Sequence, residues 1–164
     1  MKRLEREIVD LLPRLRRLAR ALTRDPVDAD DLVQVTVERG LDRRGQWVPG
    51  TRLDSWMFRI MKNAWIDEAR ARGRQAKFLA PAEAGENVGA DGAAMMEARL
   101  AASEVERAMG RLPEDQRLAV ALVLVEGLSY KDAAEVLEVP QGTLTSRLVR
   151  GRAALIADLQ GAVA

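Results

Sequence analysis

Three observations predict an all-α chain of two small helical domains joined by a flexible linker, the C-terminal domain a helix-turn-helix. Apolar residues recur at helical spacing, as in Ile8, Leu11, Leu15, Leu18 and Leu22. Near the C-terminus a glycine stop, a serine start and a proline break follow one another at Gly127, Ser129 and Pro140. Between these regions, 76–94 is rich in Ala and Gly and has no sustained apolar period. The domains are therefore expected at 1–75 and 95–164, with 76–94 as the linker. The charged residues of the linker lean acidic, Glu83, Glu86 and Asp91 against Lys77.

The first helix carries its apolar face from Ile8 to Leu22 and a polar side of Arg14, Arg16, Arg17 and Arg20. Pro13 interrupts it and is expected to kink or delimit it. Asp25-Pro26 opens a second helix, since proline suits a first helical turn. Asp28, Asp30 and Asp31 crowd that end, where negative charge favours the helix dipole. Val33, Val37 and Leu41 line its inner face and leave Asp31, Gln34 and Glu38 available on others. After a Gly/Pro loop (Gly45 to Gly50), Thr51 and Asp54 form a capping-box pattern that predicts a third helix to about Arg72. Leu53, Trp56, Met57, Ile60 and Ala64 supply its core stripe. Phe58, Met61 and Trp65 add apolar surface among Arg52, Arg59, Lys62, Asn63, Arg70, Arg72 and Arg74. Cations interleaved with rings suit single-stranded nucleic acid, phosphates meeting the first and unstacked bases the second. A plain core role competes for the rings, and for Trp56 it is the better reading.

In the second domain, Leu118, Ala121, Leu122 and Val125 form one helical stripe that ends at Gly127. Ser129 and Asp132 start the next helix as a capping box, with Ala133, Ala134, Val136 and Leu137 as its buried face. Glu138-Val139-Pro140 breaks the chain, and a last helix is expected from Gln141 to Leu159. At about 100° per residue, Leu144, Leu148, Gly151 and Leu155 point inward. Gly142, Ser146, Val149 and Arg150 then point outward, with Thr145, Arg147 and Arg152 on the flanks. Small side chains beside arginines suit a helix lying in a major groove.

Composition narrows the alternatives. The 164 residues carry a net charge of only +1, so affinity for nucleic acid must come from local patches. With no cysteine and no histidine, disulfides, thiol nucleophiles, zinc fingers and histidine bases are excluded. No apolar run reaches membrane-spanning length and Met1 to Asp10 has no signal-peptide core, so a cytoplasmic protein without membrane insertion is expected. No cofactor or metal is expected.

The order and wording of these segments resemble bacterial sigma factors of the extracytoplasmic-function group. The resemblance runs from Leu4 to Leu159 apart from the linker. It is carried by Asp30-Asp31-Leu32-Val33-Gln34, by Ser55-Trp56-Met57-Phe58-Arg59-Ile60 with Asn63 and Asp67, and by Leu112-Pro113-Glu114-Asp115-Gln116-Arg117. Gly127-Leu128-Ser129-Tyr130 and Gly142-Thr143-Leu144-Thr145-Ser146-Arg147 complete it. It implies an alternative sigma factor that binds core RNA polymerase, directs promoter recognition and serves a stress or envelope response under an anti-sigma factor. By the same resemblance Asp31, Gln34 and Glu38 would meet the β′ clamp helices, and Arg52, Lys62, Asn63, Asp67 and Arg70 the melted −10 element. Gly142, Thr143, Thr145, Ser146, Arg147, Val149, Arg150 and Arg152 would meet the −35 duplex, with the second domain also held by the β flap. The linker would thread toward the RNA exit channel. The loop Val48-Pro49-Gly50-Thr51 resembles that of the alphaproteobacterial general-stress subgroup, whose anti-sigma factor is released by a partner switch. Thr145, Val149 and Val35 depart from the usual pattern. Because the chain stops at Ala164, no extra C-terminal sensing domain is expected.

Three rival classes exist. A stand-alone helix-turn-helix regulator would leave Asp28 to Glu38 and the third helix without a purpose. A metal-dependent nuclease would use Asp28, Asp30, Asp31 and Glu38, but capping and dipole roles already explain these carboxylates. A purely structural adaptor leaves the arginines of the last helix unexplained.

Overall fold

The computed structural model describes residues 2–76 and 104–163 of the chain, and every regular element among them is helical. The first domain is α1 (Lys2–Leu22), α2 (Pro26–Asp42) and α3 (Leu53–Ala76), with a short 3₁₀ turn at Arg44–Gln46. The second begins in helix α4 (104–111) and continues through α5 (Glu114–Val120), α6 (Tyr130–Leu137) and α7 (Gln141–Val163). Apart from Ala76, the expected linker 76–94 lies outside the described residues, as does 95–103.

Burial follows the apolar periods. In α1, Leu4, Ile8, Leu15, Leu18, Ala19 and Leu22 are all buried. Pro13 neither ends nor divides this helix, which runs unbroken from Lys2 to Leu22. Pro13 is exposed, so the backbone bond it cannot donate is missing on the solvent side, where water replaces it. Asp25 caps α2 by accepting from the Val27 amide at 3.0 Å, with Pro26 in the first turn. Gly40 of α2 lies close against α3, where a Cβ would come within 2.9 Å of the Met57 sulfur and push that side chain aside.

The start of α3 differs from the expected capping box. Thr51 donates its hydroxyl to the Val48 carbonyl at 2.6 Å and so closes the preceding turn, and the helix begins at Leu53. Asp54 turns to arginines instead, Arg14 at 3.0 Å and Arg52 at 2.7 Å. A two-sided environment explains why α3 is apolar over so much of its circumference. It packs on α1 and α2 with one side and on α6 with another. Met57, Phe58 and Met61 are fully buried, Trp65 nearly so, and Trp56 and Leu53 pack at the margin of the same core. The rings of Phe58 and Trp65 are core, whereas Trp56 is only partly buried.

In the second domain α5 passes into a π-helical turn at Ala121–Val125, in which the Glu126 amide reaches back to the Ala121 carbonyl at 3.0 Å. Gly127, at φ +72°, then reverses the chain. Ser129 caps α6 by accepting from the Asp132 amide at 3.0 Å. The carboxylate of Asp132 does not complete the box and points to Arg52 of the first domain. Glu138, in the left-handed region at φ 58°, ends α6, and α7 starts two residues later after Pro140. Leu144, Leu148 and Gly151 face inward as expected. Gly151 is obligatory there: a Cβ would meet Val120 at 2.9 Å and the Gln116 carbonyl at 3.2 Å. One cluster of buried side chains runs through both domains, from Leu15 and Leu18 across Trp65 to Leu112 and Leu122.

Candidate nucleic-acid and polymerase interfaces

Three surfaces emerge, each on a different helix. On α2, Asp31, Gln34 and Glu38 fall at spacings of three and four, form one stripe, and are all exposed. The opposite face of α2 holds Ala29, Leu32, Val33 and Thr36 in the core, and the Thr36 hydroxyl donates to Leu32 at 2.7 Å, which keeps that polar group satisfied. Packing on one side thus leaves the acidic stripe free on the other. The four carboxylates weighed for a nuclease do not converge. Asp28 pairs with Arg72 at 2.9 Å, and among the described residues no group of three or more such side chains is placed to hold a metal ion.

On α7, burial of Leu144, Leu148 and Gly151 turns Gly142, Ser146, Val149, Arg150 and Arg152 outward. Val149 is 61% exposed, a large apolar side chain in the middle of a polar surface. Thr143, Thr145 and Arg147 sit half-buried on the flanks. Arg147 pairs with Asp115 at 3.5 Å, and Thr145 donates to the Gln141 carbonyl at 2.9 Å. Arg150 and Arg152 have no ion pair among the described residues. Side chains in that state can meet phosphates or base edges at no cost in broken contacts.

On α3 the expected residues divide. Asn63 is half-buried, Asp67 and Arg70 are exposed, and Asp67 pairs with Arg39 at 3.2 Å. Arg52 and Lys62 are occupied. Arg52 pairs with Asp54 and with Asp132 of the second domain. Lys62 is only 6% exposed and its ammonium stands 3.8 Å from Glu138. Burial pushes the Lys62 ammonium below its ordinary value, Glu138 offsets part of this, and the neighbouring Arg59 adds to it. Between these residues lies a groove of about 270 Å³ lined by Thr51, Arg52, Ser55, Trp56, Arg59, Asp132 and Glu135.

The sequence reading missed how the two domains engage. Glu126, whose carboxylate is fully buried, receives Arg17 at 2.7 Å and Arg14 at 3.3 Å from α1. Arg17 is held above its ordinary value, first by its hydrogen bond to Glu126 and then by the charge itself. Arg117 donates to the Leu22 carbonyl at 3.1 Å and lies 5.4 Å from the Trp65 ring centroid. Arg14 covers the Phe58 ring at 5.2 Å. The available signal was the pair Arg14 and Arg17, three apart on one helical face, opposite a lone Glu126 beside an apolar run.

The geometry therefore defines a two-domain helical protein with one exposed polar helix face, on α7, and a groove of mixed charge beside α3. Sequence comparison identifies both halves separately. Residues 8–62 match the sigma2 domain of PhyR, and residues 102–155 match sigma-70 region 4. The chain is 35% identical over 153 residues to the ECF RNA polymerase sigma factor EcfG of Rhodopseudomonas palustris, covering 93% of this chain and 83% of the relative. It is 40% identical over 141 residues to the ECF RNA polymerase sigma factor SigM of Mycobacterium tuberculosis, covering 86% and 69%. Among solved structures it is similar to the sigma factor RpoE in complex with the anti-sigma factor NepR from Bartonella quintana. That match has a TM-score of 0.80 and 28% identity over 98% of each chain. It is also similar to CnrH in complex with the cytosolic domain of CnrY, with a TM-score of 0.67 and 27% identity over 96% of this chain and 90% of the other. The chain belongs to the extracytoplasmic-function family of RNA polymerase sigma factors. It is an alternative sigma factor, a protein of transcription initiation. No helix among the described residues is long and apolar enough to cross a membrane.

Proposed function

We propose that the three surfaces divide the work of promoter recognition. The exposed acidic stripe Asp31, Gln34 and Glu38 engages the clamp helices of the polymerase β′ subunit. Residues Arg52, Lys62, Asn63, Asp67 and Arg70 receive the −10 element as melted strand. There a fitted pocket offsets the few kcal/mol that unstacking a base costs. The outward face of α7 reads the −35 element as duplex: Ser146, Val149, Arg150 and Arg152 meet the groove and Gly142, Thr143, Thr145 and Arg147 lie at its edges. In the major groove the exposed Val149 suits a thymine methyl and the arginines suit guanine or phosphate. The β flap holds the same domain, and 76–94 joins the two domains within the polymerase.

The observation that carries this reading is the outward stripe of α7, exposed and without ion pairs at Arg150 and Arg152 while the opposite stripe is core. Control belongs to an anti-sigma factor that covers the polymerase- and DNA-binding faces, as expected for a stress regulon. The RpoE and CnrH structures, each with its own such partner, support that assignment. The protein acts in the cytoplasm, and the phosphodiester chemistry belongs to the polymerase.

Multi-round transcription of genomic fragments by bacterial core polymerase, with and without the chain, tests the proposal. New transcripts sharing a −35/−10 pair are expected. Failure to bind core enzyme in the same mixture would return the stand-alone regulator.

A further inference from the structure

Helix α1 is strongly cationic, and the three surfaces above leave that charge unused. It holds seven cations against three carboxylates in a chain whose net charge is only +1. From Pro13 to Arg24 there are five arginines and no acid. Packing accounts for some of them. Arg14 and Arg17 reach Asp54 and Glu126, Arg3 meets Glu7 at 3.5 Å, and Arg20 meets Glu106 at 3.2 Å. Arg6 and Arg16 are exposed and have no ion pair among the described residues.

These two arginines belong to one face. At about 100° per residue, Arg6, Val9, Pro13, Arg16 and Arg20 fall within an arc of about 80°, opposite the buried Leu4, Ile8, Leu15, Leu18 and Leu22. All five are exposed, Val9 to 60%. Glu5 and Asp10 stand at the margins of its N-terminal half, and no acid of α1 flanks the other half. Arg6 and Arg16 are separated by about 15 Å of helix rise, and Arg20 lies about 6 Å further on. A major groove is about 12 Å wide, so Arg6 and Arg16 can span it from strand to strand with Val9 and Pro13 over the opening. Neither Val9 nor Pro13 has a side-chain donor or acceptor, so no hydrogen bond to a base edge can form between the two arginines.

We propose that the outward face of α1 holds the phosphate backbone of duplex promoter DNA, through Arg6 and Arg16 with Arg20 beside them, without regard to base sequence. It is a DNA contact additional to α3 and α7, and it does not depend on which residues read the −10 and −35 elements. The side chains select the partner. Guanidinium forks match phosphate oxygens. Among the described residues of this face there is no aromatic ring, so it lacks the stacking platform that a single strand needs. It also lacks the aromatic anchor on which protein interfaces are commonly centred. Each phosphate neutralised releases counterions, so the contact contributes affinity and salt dependence but no specificity.

Holoenzyme assembled from core polymerase and Arg6→Gln/Arg16→Gln tests this on a fluorescent linear promoter fragment across a salt series. Both side chains are exposed and unpaired, so stability in urea should be unchanged. The slope of log affinity against log salt should become shallower by about 1.8, the value for two phosphate contacts. At fixed low salt the affinity lost should be the same factor, within about twofold, on a fragment with scrambled −35 and −10 elements. Arg3→Gln/Arg111→Gln removes the same charge from arginines already paired with Glu7 and Asp158, and should leave the slope unchanged. An unchanged slope in Arg6→Gln/Arg16→Gln would overturn the proposal. A loss confined to the promoter fragment would also overturn it, by making the face a reader of sequence. Weaker binding of core polymerase without DNA would overturn it too, by making the partner an acidic protein surface.

Discussion

The two surfaces proposed to read DNA are in different states. The face of α7 is open, with Val149 largely exposed and Arg150 and Arg152 without ion pairs among the described residues. The face of α3 is partly covered: Lys62 is buried, Arg52 is shared between two carboxylates and Arg59 is held by α6, while Asp67 and Arg70 remain exposed. The difference follows from packing. Helix α7 has one apolar stripe and one neighbouring layer, so its other side remains in water. Helix α3 is apolar on two sides and is covered on two sides, and its cations lie along the second seam. A duplex reader needs only presentation, whereas a reader of melted strand has no substrate until polymerase has opened the promoter.

The largest expected effect concerns the rings of α3. Phe58→Ala should cost about 3–5 kcal/mol of stability in urea unfolding, because a fully buried ring leaves a cavity. A stable variant that lost only affinity for single strands would instead make Phe58 a stacking platform and erase the contrast. Next comes Arg150→Ala, which should weaken promoter use by about 1–3 kcal/mol if it reads a base, with urea stability unchanged. Unaltered transcription would remove α7 from the reading surface. Glu126→Gln should lower stability by on the order of 1 kcal/mol, since it leaves Arg14 and Arg17 without their shared charge. That loss should shrink in high salt; a salt-independent loss would point to packing.

The smallest effect is on acid sensitivity. Burial pushes the Asp54 carboxyl up, but hydrogen bonds from Arg52, the Ser55 amide and Arg14 outweigh it and hold the group below its ordinary 3.8. A lowered folded value means that the contribution is complete above 3.8 and is lost as the pH falls below it through the folded value. Asp54→Asn should therefore flatten the acid limb of the stability profile, by less than about 1 kcal/mol. An unchanged limb would show that the arginines are equally satisfied by water.

Much of this was legible in the sequence because one rule governed each segment. The inward set Leu144, Leu148 and Gly151 and the outward set Ser146, Val149 and Arg150 of α7 follow from a single period, and Gly127 and Ser129 mark the turn into α6 and its start by local chemistry alone. The misreadings arose where two rules competed. Pro13 lies within a helix because the buried leucines on both sides outweigh one missing bond on the wet face. Asp54 serves arginines from α1 and the loop in preference to a capping box. Illegible from the start was the meeting of Arg17 with Glu126 and of Lys62 with Glu138, since a pattern on one helix does not name the partner of its polar face. The π-helical turn after Val120, which precedes the buried Glu126, was equally unannounced.

The division of labour between the two surfaces is tested most directly by resolving promoter binding from promoter opening. Arg150→Ala and Asn63→Ala would each be assembled with core polymerase and followed on one promoter for closed-complex affinity and for the rate of strand opening. Arg150→Ala should lower the affinity and leave the opening rate unchanged, while Asn63→Ala should leave the affinity unchanged and slow the opening. If both variants altered the same step, duplex and melted-strand recognition would not be divided between α7 and α3.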